Sequence, residues 1–340
     1  MTLPRVRIAR RLAAALAAAS GLVLTLTCTP PAAATTAAPE ETAGTAGTTA
    51  VQRLPAQSAA PMGAKAGAVT AKARGGKARP AAPKGVPRTD TARTAAARPF
   101  KELQLNLCNS GYAGCYAGGQ AVFEGGDLIY YLAPDLVTLN EICSNDLPDY
   151  LQPSLAEAWP DDWTYYMFYP AVNRQTGGPV TCTNGDSFGN AVLGRVPVAQ
   201  WRGANGWVGQ YATQDSTNEM RTFACAYAIG DHLSCATHLS SSSEPVALAQ
   251  CQALMFSVVP SIRSQEGVSG KTVVGGDFNL EYDTSDPENA QNCVPSGNIR
   301  KGDGDVQHVI FTNDFSFVGT DKYGLTYTDH DGFLVKLTKP

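Results

Sequence analysis

From residue 99 onward the chain is written as short apolar runs, each finishing in a polar cluster. Residues 101–107 (KELQLNL) alternate with the two-residue period of a strand, and a loop rich in Gly and Tyr follows. Residues 118–132 carry a helical pattern that must stop before Pro134. Residues 136–139 form an apolar strand that runs straight into Asn140 and Glu141, and 147–158 predict a second helix. Strands are expected at 191–193, at 222–228, ending near Gly230, and at 233–237, which arrives at His238. The longest helical pattern is 244–264, with Pro260 expected to kink or end it. Strands at 272–274, 306–312, 316–318 and 333–337 complete the series. Many strands with few helices, some joined closely enough for hairpins, predict an α/β domain built on mixed sheets rather than an all-parallel one. The domain shows no internal repeat.

Composition divides the chain into three. Residues 1–34 combine four arginines (Arg5, Arg7, Arg10, Arg11) with an apolar run and a small-residue site at Ala32-Ala33-Ala34, the make-up of a secretory signal peptide. Lipid anchoring through Cys28 is not expected, because Leu-Thr-Leu-Thr before it lacks the small residue such a cysteine follows. Residues 35–98 are almost entirely Ala, Thr, Pro, Gly, Lys and Arg without one aromatic, and cannot bury enough apolar surface to offset their ordering entropy. A disordered, basic linker (net +7) is therefore expected, a solvated spacer able to tether the chain to an anionic surface. Residues 99–340 hold every Trp, Tyr and Phe, enough for one large domain. Twelve Lys and Arg stand there against 27 Asp and Glu, net −15, so an anionic substrate would need a cation to mediate its approach.

Eight cysteines fall in this domain: Cys108, Cys115, Cys143, Cys182, Cys225, Cys235, Cys251 and Cys293. An even number in a secreted chain reads as four disulfides, whose pairing the sequence leaves open. The absence of any CxxC pair, and of a His at ligand spacing from a Cys, argues against zinc.

Chemistry gathers where strands end. Glu141 closes an otherwise apolar run, and Asp277 and Asn279 follow VVGG, where glycines allow a turn and close approach of a ligand. Asp329 and His330 directly precede the last strand, His238 ends SCATH, and Asn106 lies within LQLNL. Carboxylates at strand ends are hard oxygen ligands for Mg²⁺ or Ca²⁺, and adjacent histidines move protons near neutral pH. His232 and His308 read as structural groups.

The order of these pieces carries a resemblance. Asn106 in LQLNLCNS, Glu141 in LVTLNEIC, Asn190 in FGNAVLGR, Arg221 in RTFACA, His238 in CATHLS, Asp277 and Asn279 in GGDFNL, and Asp329-His330 in TDHDGFLV together resemble the endonuclease/exonuclease/phosphatase superfamily, which includes deoxyribonuclease I. The resemblance spans most of 99–340. It implies a four-layer sandwich of two mixed β-sheets flanked by helices, and metal-assisted phosphoester hydrolysis with Mg²⁺ as cofactor, Ca²⁺ or Mn²⁺ being alternatives. By this resemblance Glu141 would be the main metal ligand, supported by Asn106 and Asp329. Asp277 would orient or deprotonate the attacking water, Asn279 would hold a phosphate oxygen, and His238 and His330 would contact the scissile phosphate, with Asn190 and Arg221 on the substrate.

One position departs from the pattern. Many members carry an Asp where this chain has Gln307, and that Asp pairs with a catalytic histidine, here expected to be His330; Asp303 and Asp305 are candidates to replace it. For substrate, a phosphodiester in nucleic acid comes first, in a secreted, extracellular setting, and no obligate protein partner is implied. A sphingomyelinase-type membrane-lipid phosphodiesterase is the alternative, with Trp201, Trp207 and Tyr211 as an exposed aromatic loop that dips into lipid or, more plainly, as packing between two strands. A binding protein that has lost catalysis is the third reading.

Overall fold

The computed structural model describes residues 49–62 and 98–340. The expected signal peptide, and the linker residues 35–48 and 63–97, lie outside the described residues. Fourteen strands build two seven-stranded sheets. One runs in the order β1 (Ala50–Pro55), β8 (Ala204–Gln210), β10 (Thr222–Ala228), β11 (His232–His238), β12 (Thr272–Asp277), β14 (Gln307–Thr312), β13 (Asn298–Gly302). The other runs β15 (Ser316–Tyr323), β16 (Gly332–Lys339), β3 (Arg98–Asn106), β4 (Leu136–Cys143), β7 (Phe188–Pro197), β5 (Asp162–Pro170), β2 (Gln57–Ala59). Each sheet holds one parallel pair, β11 with β12 and β3 with β4, among antiparallel neighbours, the mixed architecture the pattern predicts. β6 (Val172–Asn173) and β9 (Glu219–Met220) form a separate ribbon.

Three apolar layers separate four layers of structure. Between the sheets lie Phe100, Leu136, Met167, Val208, Ala224, Val273, Val309 and Val335. Outside one sheet, Leu103, Leu105, Val137 and Leu139 pack against α1 (Gln120–Leu132) and α2 (Gln152–Ala158), the latter continuing a π-helical turn at Leu147–Leu151. Outside the other, Cys235, Val274 and Ile310 meet α3 (Glu244–Glu266), whose Ala247, Leu254, Val258 and Ile262 face inward. That helix is long and apolar enough to cross a membrane, but its apolar face is used by the core. Pro260 does not end it. A π-helical turn at Leu254–Val258 precedes the proline, which falls in the first turn of the closing α-segment, and the helix stops at Gly267 in the left-handed conformation.

One expectation needs correction. The segment expected to be linker contributes β1 and β2, which pair antiparallel with β8 and β5 and so complete the same side of both sheets. The composition argument holds for a segment that must fold alone; a ten-residue strap instead borrows backbone partners from two sheet edges already in place. β8 is shaped for it: a Cβ on Gly206 or Gly209 would collide with the carbonyls of Leu54 and Ala50. Arg53 adds a salt bridge to Glu266 at 3.4 Å and lies over the Trp207 ring. For the three aromatic residues the packing alternative is the one found. Trp207 is buried in the middle of β8 and Tyr211 just beyond its end, and Trp201 stacks on Trp163, so these rings pack within the domain rather than face a membrane.

The eight domain cysteines form four disulfides, Cys108–Cys115, Cys143–Cys182, Cys225–Cys235 and Cys251–Cys293. His232 and His308 are structural, as expected: His232 bridges Asp231 and Tyr165, and His308 bridges Arg300 and the Leu280 carbonyl.

Candidate active site

Glu141 and Asp277 come from different sheets and meet at one end of the sandwich. Along β4, Val137 and Leu139 face the helices, and strict alternation would send Glu141 after them. A bulge prevents it: Leu139 pairs with Ala191 but Ile142 with Gly189, so one extra residue is accommodated, and Ile142 takes the helix-facing place. Glu141 absorbs the irregularity with φ of 54°. Asp277 ends β12, almost fully buried, and Asn279 beyond it has φ of 50° while Phe278 turns into the core. Left-handed backbone at two non-glycine site residues is held by the surrounding bonds.

One amide links the two carboxylates. Asn106 Nδ2 donates to Glu141 Oε1 at 3.0 Å and to Asp277 Oδ2 at 3.1 Å, while its Oδ1 accepts from the Cys108 amide. That last bond fixes which way the amide faces. Asn106 therefore presents N–H groups, not its oxygen, to the carboxylates, and orients them. Burial raises the Glu141 carboxyl above its ordinary range, with Glu219 and Asp277 adding like charge against the Asn106 hydrogen bond. Asp277 is raised by burial too, opposed by His330, by the Asn106 and Asn279 hydrogen bonds and by Arg221.

Both predicted histidines flank Asp277. His330 Nε2 lies 3.5 Å and His238 Nε2 3.9 Å from Asp277 Oδ2. Burial, then the charges of Arg221 and His330, push His238 well below the usual imidazole range, so its ring is neutral at neutral pH. Asn279 donates its backbone N–H to Asp277 Oδ1 and one side-chain hydrogen to the Leu239 carbonyl. Arg221 is held by Glu219 at 2.6 Å and by Ser241, with its Nε unpartnered.

Three predicted residues sit differently from expectation. Asn190 is buried with its carbonyl accepting from Asn140 and its amide reaching the Thr222 carbonyl, so it braces the interior. Asp329 is largely exposed, 3.7 Å from His330 Nε2 and beside the Cys108–Cys115 disulfide, which occupies the two thiols that would otherwise complete a metal-binding trio with it. Gln307 donates to the Asp331 carbonyl at 2.8 Å and to Asp303 at 3.3 Å. Among the described residues, the carboxylates nearest His330 are those of Asp277 and Asp329, and Asp303 serves Gln307 instead.

Behind these residues runs a polar seam that the sequence reading missed. Glu102, Gln104 and Asn106 on β3 and Thr138 and Asn140 on β4 are fully buried against the opposite sheet. Thr138 Oγ1 is 2.5 Å from both Glu102 Oε1 and Gln104 Oε1. A hydroxyl has one hydrogen, so both contacts are satisfied only when Glu102 is protonated and donates to Thr138, which then donates to Gln104. Burial, the dominant cause, raises the Glu102 carboxyl to about 8, in agreement. Gln104 Nε2 passes the chain to Asn140 at 2.7 Å. The alternation in KELQLNL left open what its polar side meets; that side is interior. Gly275, expected to let a ligand approach, instead leaves room for this seam, since a Cβ there would strike Thr138 and Glu102.

The solved structure of an endonuclease/exonuclease/phosphatase from Beutenbergia cavernae matches with a TM-score of 0.50 at 17% identity, over 71% of this chain and 72% of that one. The chain has the endonuclease/exonuclease/phosphatase fold. Lower scores come from a protein of that name from Bacteroides vulgatus (TM-score 0.46, 13% identity, 72% and 100% covered) and from TDP2 of Caenorhabditis elegans (0.46, 16%, 71% and 74%). No protein-family model matches the sequence, and no curated protein matches it at a significant level. Within this endonuclease/exonuclease/phosphatase fold the strap of β1 and β2, Glu219 as the partner of Arg221, and the Glu102 seam are features that no motif announces.

Proposed function

We propose that the chain is a secreted, divalent-cation-dependent phosphoester hydrolase whose substrate is a phosphodiester, nucleic acid first. The observation that carries this reading is the Asp277 carboxylate, buried, flanked by two histidine Nε2 atoms and tied to Glu141 through one asparagine amide. The donor set fits a hard cation: two carboxylates are brought together at low exposure, both raised by burial and Glu141 also by the like charges of Glu219 and Asp277, which a divalent ion would relieve. Glu141 would hold that ion, with Asn106 keeping its carboxylate aimed and Asp329, beside His330, as a supplementary oxygen donor. When bound, the cation neutralises charge on the phosphoryl oxygens and lets an anionic substrate approach a domain of net −15.

Each remaining step falls to a named side chain. Asp277 orients the attacking water and accepts its proton. Neutral His238 donates a hydrogen bond to a phosphoryl oxygen, and Asn279 adds its second amide hydrogen. His330, between Asp277 and Asp329, protonates the leaving oxygen; these two carboxylates supply the countercharge that Gln307 lacks. Arg221, paired with Glu219, faces the developing charge. The lipid alternative loses its support once Trp207 and Tyr211 are buried. Four disulfides accord with an oxidising compartment.

The test is turnover by the purified chain of plasmid DNA, RNA, sphingomyelin liposomes and bis-phosphodiester esters, with Mg²⁺, Ca²⁺, Mn²⁺ or chelator. Cation-dependent cleavage of nucleic acid is expected. Cleavage of lipid alone would overturn the substrate, and no turnover by folded protein would overturn the hydrolase.

A further inference from the structure

Asn140 precedes Glu141 and is fully buried, yet all four of its hydrogen-bonding positions are engaged. Its Oδ1 accepts from Gln104 Nε2 at 2.7 Å and from the Asp277 backbone amide at 2.8 Å. Its Nδ2 donates to Asn190 Oδ1 at 2.9 Å and to the Thr237 carbonyl at 2.9 Å. Two partners belong to its own sheet and two to the other. The cross-sheet pair is specific. Leu239 N–H bonds the Asp277 carbonyl in the parallel β11–β12 register, which places the Asp277 N–H beside the Thr237 carbonyl. The carboxamide of Asn140 offers an acceptor and a donor side by side to that N–H and that carbonyl, as another peptide group would.

We propose that Asn140 is a positioning residue that sets the spacing between the Glu141 strand end and the Thr237-His238 and Asp277 strand ends, holding in register the two halves of the proposed hydrolytic site. The proposal rests on the hydrolase reading for its consequence but not for its geometry. Asp at this place keeps the acceptors and turns an oxygen toward the Thr237 carbonyl; Ala removes all four bonds; Ser keeps a single short donor. No other side chain of this size supplies both members of the pair. Regular alternation along β4 turns Asn140 to the opposite sheet with Leu136 and Thr138, and the bulge then frees Glu141 from the helix layer.

The experiment uses the full chain with Asn140→Ala, Asn140→Asp and Asn140→Ser, their folding checked by circular dichroism and thermal unfolding. Two readouts follow: amide hydrogen exchange at Asp277 and Leu239 without metal, and kcat and KM on a bis-phosphodiester ester with saturating Mg²⁺. Expected are faster exchange localised at Asp277, and a kcat lowered about 10- to 100-fold with KM little changed, the scale for groups that orient metal ligands. Folded variants with wild-type exchange at Asp277, or with wild-type kcat, overturn the proposal. If the wild-type chain turns over no phosphoester, the hydrolase reading falls alone, and exchange at Asp277 still decides whether Asn140 is the clamp.

Discussion

A buried carboxyl that must stay protonated makes stability fall as pH rises, and Glu102 is such a group. It is fully buried, its Oε2 has no partner, and its carboxyl is raised to about 8 from an ordinary 4.5. Below pH 4.5 it is protonated in both folded and unfolded chains and costs nothing. Between 4.5 and about 8 the unfolded chain releases the proton and the folded chain keeps it, so folding becomes less favourable with each pH unit; above about 8 the penalty levels off. With about 1.4 kcal/mol per unit, the penalty grows by roughly 4 kcal/mol between pH 5 and pH 9. Glu102→Gln removes the ionisation while its amide can still donate to Thr138, leaving one amide hydrogen unpaired at a cost of about 1 kcal/mol at every pH. The variant should thus be slightly less stable than wild type at pH 5 and clearly more stable at pH 9. Urea unfolding followed by circular dichroism at pH 5, 7 and 9, disulfides intact, measures the difference, and all other titrating groups cancel between the two proteins. Parallel stability profiles would refute the reasoning, because they would mean Glu102 ionises alike in both states and the direction of the Thr138 hydrogen bond is wrong.

Other outcomes follow from the same geometry. Glu141→Gln and His330→Ala should each lower phosphodiesterase activity at least about a hundredfold while leaving the unfolding midpoint within a few degrees; unchanged rates in both would mean the site lies elsewhere. Gln307→Asp should not improve activity: the new carboxylate would lose the donors to Asp331 and Asp303 and sit buried opposite Asp277, costing about 2–4 kcal/mol, read as a lower unfolding midpoint. A chain beginning at residue 98 should lose about 2–3 kcal/mol with the half-buried Val51 and Leu54, and should associate as concentration rises, because the β8 and β5 edges are then open; equal midpoints and a monomer in sedimentation would count against the strap.

Much of this protein is legible in its sequence because the signals are local. The alternation in KELQLNL, the apolar run before Asn140-Glu141 and the stop before Pro134 each depend on neighbours along the chain, and β3, β4 and α1 appear where they indicate. The order of LNE, CATH, GGDFN and TDH located the carboxylates and histidines that the fold brings to one end. What lay beyond reach were choices made between distant segments. Whether the polar side of β3 meets water or another sheet depends on the seam formed with Thr138 and Gly275, and whether Gly275 serves a ligand or a packing contact depends on what faces it. Asn190 and Asn106 kept their places in the order but received their orientation from Asn140 and from the Cys108 amide. Residues 50–59, without aromatics and unable to bury a core of their own, become strands because two sheet edges from elsewhere in the chain supply the missing hydrogen bonds. Local periodicity is a property of the chain, whereas the partner of a buried polar group is a property of the packed sheets. That is why the sequence by itself determined the elements and the chemistry-bearing residues, and only the tertiary structure decided which way those residues face.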